Sequence, residues 1–131
     1  MKSRILLLLF SFATAASACD LIGTWRLIDK RIDSVGLEIV WEFTATEVIV
    51  RDAKRNEELS RATYSLDESK EPKWITVDVS DAIPSTKPDK RLGIYVIAGD
   101  FLRLNQEIQE GGQRPVDFGA VNVREFSRIQ K

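Results

Sequence analysis

Apolar residues recur at every second position along most of the chain from residue 23 onward. The clearest run, residues 37–43, places Glu38 and Glu42 on one face and four apolar side chains on the other: Leu37, Ile39, Trp41 and Phe43. Later runs keep the same period: Val48 and Val50; Ala62, Tyr64 and Leu66; Ile75, Val77 and Val79; Leu92, Ile94 and Val96; Leu102 and Leu104. This alternation predicts half-buried β-strands, and no stretch has the i, i+3, i+4 spacing of an amphipathic helix over three turns.

Turn-forming residues separate these runs. Charged and small residues typical of hairpin connections fill three segments: 33–36, 52–58 and 67–73. Gly99-Asp100 predicts a tight hairpin. The Pro-rich segment 84–88 and the Gly-containing segment 107–113 predict two longer connections.

About eight short strands joined in sequence fit either an up-and-down barrel or a sandwich. Closure into a barrel removes exposed strand edges, and eight strands enclose room for side chains or one small ligand. We therefore predict an all-β fold, a single up-and-down antiparallel β-barrel of about eight strands.

The first eighteen residues have the pattern of a signal peptide. Lys2 and Arg4 supply a positive start, an apolar run follows, and Ala16-Ser17-Ala18 offers the small residues that a signal peptidase needs. The apolar run is shorter than the about 20 residues that span a bilayer. We predict that residues 1–18 are removed on export and that residues 19–131 form one domain. Its expected location is the cell envelope, in the periplasm or on a membrane, or outside the cell.

Cys19, the only cysteine, directly follows the predicted cleavage site. A lone cysteine cannot form an internal disulfide in an exported chain. Residues 16–19 resemble a bacterial lipobox, in which the cysteine is acylated, although leucine is commoner than alanine at the position of Ala16. Ordinary cleavage would cut the same bond, so two routes fit the site, and lipidation would tether the domain to a membrane.

The mature chain is nearly neutral. Without Lys2 and Arg4 it carries 17 basic and 20 acidic residues, which argues against a nucleic-acid partner, because such partners demand clustered positive charge. The densest basic group is interpreted as a solvated, Pro-rich loop: Lys87, Lys90 and Arg91. We expect a monomer.

The residue types give little support for catalysis. The chain has no histidine, the commonest general base and metal ligand. No P-loop, Gly-x-Ser-x-Gly or dinucleotide-binding glycine motif is present. We expect no enzyme activity, no cofactor and no metal. The acidic turn at Asp67, Glu68 and Glu71 is interpreted as solvated, with a calcium site as the less favoured alternative.

Five short motifs stand in the order of a known pattern: Pro72-Lys73-Trp74-Ile75, Leu92-Gly93-Ile94-Tyr95, Gly99-Asp100-Phe101-Leu102-Arg103, Arg114-Pro115-Val116-Asp117-Phe118 and Phe126-Ser127-Arg128. Gly23-Thr24-Trp25 before them is similar to the Gly-x-Trp signature of lipocalins. From residue 23 to about residue 129 the chain resembles a lipocalin-like domain of unknown function that is abundant in planctomycete bacteria. Phe101 departs from the residue pattern of that family. The resemblance implies a calycin-type barrel, often exported, and brings no established activity or ligand.

The resemblance also implies that an arginine late in the last strand lies across the Trp25 ring and closes the barrel base. Arg128 is the favoured candidate and Arg124 the second, and such a contact is worth about 0.5–2 kcal/mol. For Arg114 we favour a structural role, pairing with Asp117 or capping loop carbonyls, over binding of an anionic group at the barrel mouth. In the same motif, Phe118 is interpreted as a plug at one end of the core.

The candidate ligand-binding residues are the aromatic side chains expected in the interior and the arginine of the late motif: Trp41, Phe43, Tyr64, Tyr95 and Arg114. Such aromatics fit a pocket with polar groups and fit a filled core equally well. Two functions therefore compete. One is an exported binding module for a small apolar or amphipathic ligand. The other is an envelope structural or protein-interaction module with a filled barrel and recognition loops at 80–91 and 107–117.

Overall fold

The computed structural model describes residues 20–80, 90–106, 112–119 and 123–129. Eight strands and one short helix make up the described elements: β1 (Gly23–Leu27), α1 (Lys30–Ser34), β2 (Ile39–Phe43), β3 (Glu47–Asp52), β4 (Glu57–Asp67), β5 (Lys73–Asp78), β6 (Lys90–Ala98), β7 (Phe101–Asn105) and β8 (Arg124–Arg128). The predicted signal peptide 1–18, Cys19 and the loop 84–88 lie outside the described residues, as does most of 107–113.

Each strand pairs antiparallel with the next along the chain, and β8 pairs with β1, so the sheet closes into an eight-stranded barrel. At the seam Trp25 stands opposite Arg128, and the Ile129 N–H donates a 2.9 Å hydrogen bond to the Thr24 carbonyl. Closure gives every strand two neighbours, which removes the exposed edges that invite aggregation. The predicted all-β, up-and-down antiparallel barrel is confirmed.

The register places short turns at one end of the barrel and long connections at the other. We call the first end the base; its turns span 44–46, 68–72 and 99–100. In the last of these, Gly99 has φ 62°, a conformation that glycine adopts without the steric cost other residues meet. We call the other end the mouth; it carries the connection 28–38 with α1, the turn 53–56 and the ends of β5, β6, β7 and β8 that join the longer loops.

The helix α1 differs from the sequence prediction, which assigned residues 33–36 to a turn. Asp29 is the N-cap: its side chain accepts a hydrogen bond from the Arg31 backbone N–H at 2.9 Å and pairs with the Arg31 guanidinium. A capped turn of five residues buries no side chain, so it leaves no hydrophobic periodicity to detect. The turn proper follows, with Gly36 at φ 78°.

The apolar alternation of β6 suggests that one face of the strand points into the barrel, but the opposite face does. Tyr95 belongs to the buried core cluster, whereas Ile94 is buried outside that cluster and pairs laterally with Trp74 and Asn105. Ile94 is covered from outside by the segment 112–119, so an apolar residue faces outward there without meeting solvent. The alternation predicted the strand correctly. It did not predict which face points into the barrel, because the segment 112–119 covers the outer face.

Among the described residues, no helix has the length and apolar character that crossing a membrane requires.

Candidate functional site

The base half of the barrel is filled by side chains. Trp25 and Phe126 are fully buried, and the Trp25 Nε1–H donates a 2.9 Å hydrogen bond to the carbonyl of Leu21, which is itself buried. Phe43 packs edge-on against Tyr64, with ring centroids 5.4 Å apart. These rings and the neighbouring aliphatic residues pack together in the lower interior and form the core of the barrel.

Arg128 closes this base. Its guanidinium carbon lies 4.1 Å from the centre of the Trp25 ring. Its Nη2 donates a 2.8 Å hydrogen bond to the Asp20 carbonyl, and its Nε lies 3.3 Å from the Asp100 carboxylate. One side chain therefore joins β8 to the segment before β1 and to the β6–β7 hairpin.

The two tyrosines of the chain also belong to the base. Tyr64 donates a hydrogen bond to the Thr44 carbonyl in the β2–β3 turn, and burial raises the pKa of its phenol. Burial raises the pKa of Tyr95 as well, and the negative charge of Glu68 adds to that effect. One Glu68 carboxylate oxygen is buried without a hydrogen-bond partner among the described residues. Both phenols are thus held in the neutral form.

Above the filled half, a cavity of about 290 Å³ opens toward the mouth. Trp41 forms its floor, because this ring lines the cavity and also packs against Phe126, with centroids 5.1 Å apart, and against Phe43, at 6.2 Å. The remaining lining comes mainly from short aliphatic side chains with a few polar groups: Val48, Val50, Ser60, Ala62, Val77, Val79, Arg91, Gln106 and Arg124. We call this cavity the cup.

Two arginines stand in the cup wall. Arg91 lies on β6 at an inward-facing position, four residues before the core residue Tyr95, and Arg124 lies on β8 two residues before Phe126. The Arg124 guanidinium carbon is 5.4 Å from the Trp41 ring centre. The sequence interpretation of Arg91 as part of a solvated loop is wrong, because β6 begins at Lys90 and carries Arg91 into the interior.

Arg114 lies on the outer wall of the barrel. Its Nη1 donates hydrogen bonds to the carbonyls of Ile75, at 2.8 Å, and Gly93, at 2.6 Å, and its Nη2 donates to the Thr76 hydroxyl at 2.8 Å. The guanidinium also covers the outward-facing Trp74 ring, 4.4 Å from its centre. The burial that these contacts bring lowers the pKa of Arg114 below the usual arginine value.

These contacts agree with the favoured structural role of Arg114, although the carbonyls that it caps belong to β5 and β6 and not to a loop, and it forms no ion pair with Asp117 within the described residues. They leave no place for the alternative of anion binding at the mouth, because the donors of Arg114 are used on the outer wall of the barrel. Phe118 does not plug the core: its ring lies beside the outward-facing Arg103, at 5.9 Å. The segment 112–119 is instead fastened to the outside of the barrel, and the Asn105 amide donates a 2.8 Å hydrogen bond to the Asp117 carbonyl there.

A larger depression of about 610 Å³ lies at the base and mixes inward-facing Tyr95 and Ile97 with outward-facing Val96 and Phe118. It therefore follows the rim and does not enter the barrel. Its charged lining contains both signs, from Asp20, Glu71 and Lys73. The cup is smaller, but it is the space bounded by the barrel's own inner wall, so we take it as the candidate site.

Of the five candidate ligand-binding residues, only Trp41 lines the cup. Phe43, Tyr64 and Tyr95 belong to the filled base, and Arg114 lies outside. Sequence reasoning missed the two inward arginines. A signal was present for Arg124, which is two residues before Phe126 and therefore on its face of the strand.

Within the described ranges, no group of three or more His, Cys, Asp or Glu side chains is placed to hold a metal ion. Comparisons with protein-family models, with curated proteins and with solved structures found no match, so function is inferred here from the geometry of the site.

Proposed function

We propose that this protein is a lipocalin-like binding module that holds one small apolar or amphipathic ligand in the cup. The observation that carries the proposal is a mostly apolar space inside the barrel with an aromatic floor and an opening at the mouth. Its volume of about 290 Å³ lies at the lower end of the ~300–1,000 Å³ that small-molecule pockets commonly have. The ligand would enter at the mouth.

Binding without chemistry fits the residues around the cup. The ionisable groups among the described lining residues are the two arginines, which stay protonated and therefore neither donate nor accept a proton in a catalytic step. The aliphatic and aromatic side chains supply contact area, and the Ser60 hydroxyl has no histidine to activate it, because the chain contains none. We infer a carrier or sensor role and no turnover.

Export and attachment through Cys19 are part of the proposal and rest on the sequence pattern at residues 16–19. If Cys19 is acylated, Cys19→Ser moves the protein from the membrane fraction to the soluble fraction, whereas the neighbouring control Ser17→Ala leaves it on the membrane. An unchanged distribution of the Cys19 variant would show that the protein is not lipidated.

Native mass spectrometry of the protein recovered from the cells that make it tests the binding function. We expect a bound mass that survives gentle ionisation and is lost on unfolding. The variant Ala62→Phe fills the cup from the inner face of β4 and should lose the adduct. The matched control Thr63→Phe adds the same ring to the exposed outer face of the same strand and should keep it.

A folded protein that carries no adduct and binds no apolar probe in the cup would overturn the proposal. The interaction-module hypothesis, with recognition by the loops at the mouth, would then be the better account.

A further inference from the structure

Within the part of the chain that the structure describes, the two arginines of the cup have no carboxylate partner. None of the ion pairs formed by these residues includes Arg91 or Arg124, and no carboxylate is among the described residues that line the cup. Other arginines of the barrel wall are paired, for example Arg51 with Glu42 and Arg103 with Glu125. The cup therefore holds two cations without a carboxylate among its described lining residues, whereas several arginines of the outer wall pair with acids.

This arrangement is unfavourable in the empty protein. Part of the Arg124 side chain is exposed through the mouth, but its guanidinium faces the Trp41 ring, and loss of hydration lowers its pKa, with repulsion from Arg91 as the second cause. A desolvated cation without a partner costs free energy unless an anion or hydrogen-bond acceptors compensate it. Two arginines in the wall of one cup, one of them facing the Trp41 ring, indicate a binding role better than a structural one.

Resting on the proposed function, we propose that the ligand of the cup is a single-chain amphiphile with an anionic head, a medium-chain carboxylate. The tail would lie against Trp41 and the valines near the floor, and the carboxylate would accept hydrogen bonds from Arg91 and Arg124 at the mouth side. Arginine suits this role because its planar donors match the two oxygens of a carboxylate.

The size of the cup sets the length of the chain. At ~30 Å³ per packed small group, about 290 Å³ accepts a ligand of about ten heavy atoms. Octanoate has that size, and 1-octanol and octylamine offer the same tail with a neutral and a cationic head. The three compounds separate recognition of the tail from recognition of the charge.

The test is calorimetric titration of the folded protein with octanoate, 1-octanol and octylamine. We expect octanoate to bind most tightly, 1-octanol at least tenfold more weakly, and octylamine not at all. Added salt should weaken octanoate binding and leave 1-octanol binding unchanged.

Variants assign the effect to the two side chains. Arg91→Gln and Arg124→Gln should each weaken octanoate binding about tenfold and leave 1-octanol unaffected. Arg26→Gln is the matched control, because Arg26 is an arginine on the outward-facing side of β1. It should change neither titration.

The outcomes separate the two proposals. Equal binding of octanoate and 1-octanol, or octylamine binding as tightly as octanoate, would overturn the anionic ligand and leave the binding module standing. Failure of all three compounds to bind a folded protein would overturn both. The wild-type titrations decide this even if an arginine variant does not fold.

Discussion

The two halves of the barrel use the same pair of side-chain types in different ways. At the base, Arg128 covers Trp25, with the guanidinium carbon 4.1 Å from the ring centre, and also contacts the Asp20 carbonyl and the Asp100 carboxylate. Toward the mouth, Arg124 approaches Trp41 at 5.4 Å and has no anionic partner within the described ranges.

If the proposed function holds, this difference separates the residues that stabilise the fold from those that bind the ligand. The base pair is surrounded by packed rings and acceptors, so its contacts are complete in the protein alone. The pair in the cup, Arg124 and Trp41, borders empty space, and its guanidinium has no carboxylate partner among the described residues. The free energy of unfolding should therefore depend on the pair of Arg128 and Trp25, and the affinity for the proposed ligand on the pair of Arg124 and Trp41. Mutations can test each half of the barrel separately.

The largest expected effect is on the base. Trp25→Ala removes a fully buried ring and should lower the free energy of unfolding by about 3–5 kcal/mol, measured by denaturant titration. Val50→Ala, in the wall of the existing cup, should cost no more than about 1 kcal/mol. A loss below about 1 kcal/mol for the Trp25 variant would contradict its place in the core.

The second largest expected effect comes from a comparison of the free energies of unfolding of Arg128 and Arg124 variants. Arg128→Gln should cost about 1–2 kcal/mol, because it loses the ring contact and the hydrogen bond to Asp20. Arg124→Gln should stay within about 0.5 kcal/mol of the wild type, since relief of a desolvated, repelled cation offsets the weaker ring contact. Thermal unfolding of both variants at one pH measures this, and equal losses would remove the distinction between the halves.

The smallest expected effect is on the deprotonation of the two tyrosines at the base, Tyr64 and Tyr95. The pKa of both tyrosines is raised above the ordinary value of 10.0 by burial, so the tyrosinate absorbance should appear only above pH 10 in the folded protein. The unfolded chain in guanidinium should titrate near 10. Because the folded pKa is raised, this stabilisation is complete below pH 10 and is lost as the pH rises through the folded value. A folded-state titration centred at 10 would mean that both phenols are exposed.

Local pattern was enough to predict the strands, whereas the choice of a barrel over a sandwich depended on the removal of exposed edges and on the resemblance. Alternation over residues 37–43 and 62–66, with Gly99-Asp100 between the later strands, predicts the strands and their antiparallel order because each signal depends only on near neighbours in sequence. It failed for the faces of β6, where Ile94 is covered by the distant segment 112–119. No local signal shows that a later segment will lie on the outside of an earlier strand.

The candidate site was harder to predict for a related reason. Aromatic residues mark the interior of a barrel, but the distinction between filled base and open cup depends on which rings meet across strands, as Trp41 and Phe126 do. The inward arginines were missed as lining residues because Arg91 was assigned to a Pro-rich loop and Arg124 was considered only as the second candidate for the contact with Trp25. Arg91 and Arg124 come together only when β6 and β8 take their places in the closed sheet.

The contact between Arg128 and the Asp20 carbonyl affects how the barrel would be oriented at a surface. It brings the first described residue to the base, next to the last strand, and the mouth lies at the far end of the barrel axis. If the chain before Asp20 is held at a surface, the base faces that surface and the cup opens toward the surrounding fluid. A ligand would then approach from the fluid side, and a partner that delivers or collects it would meet the loops of the mouth first.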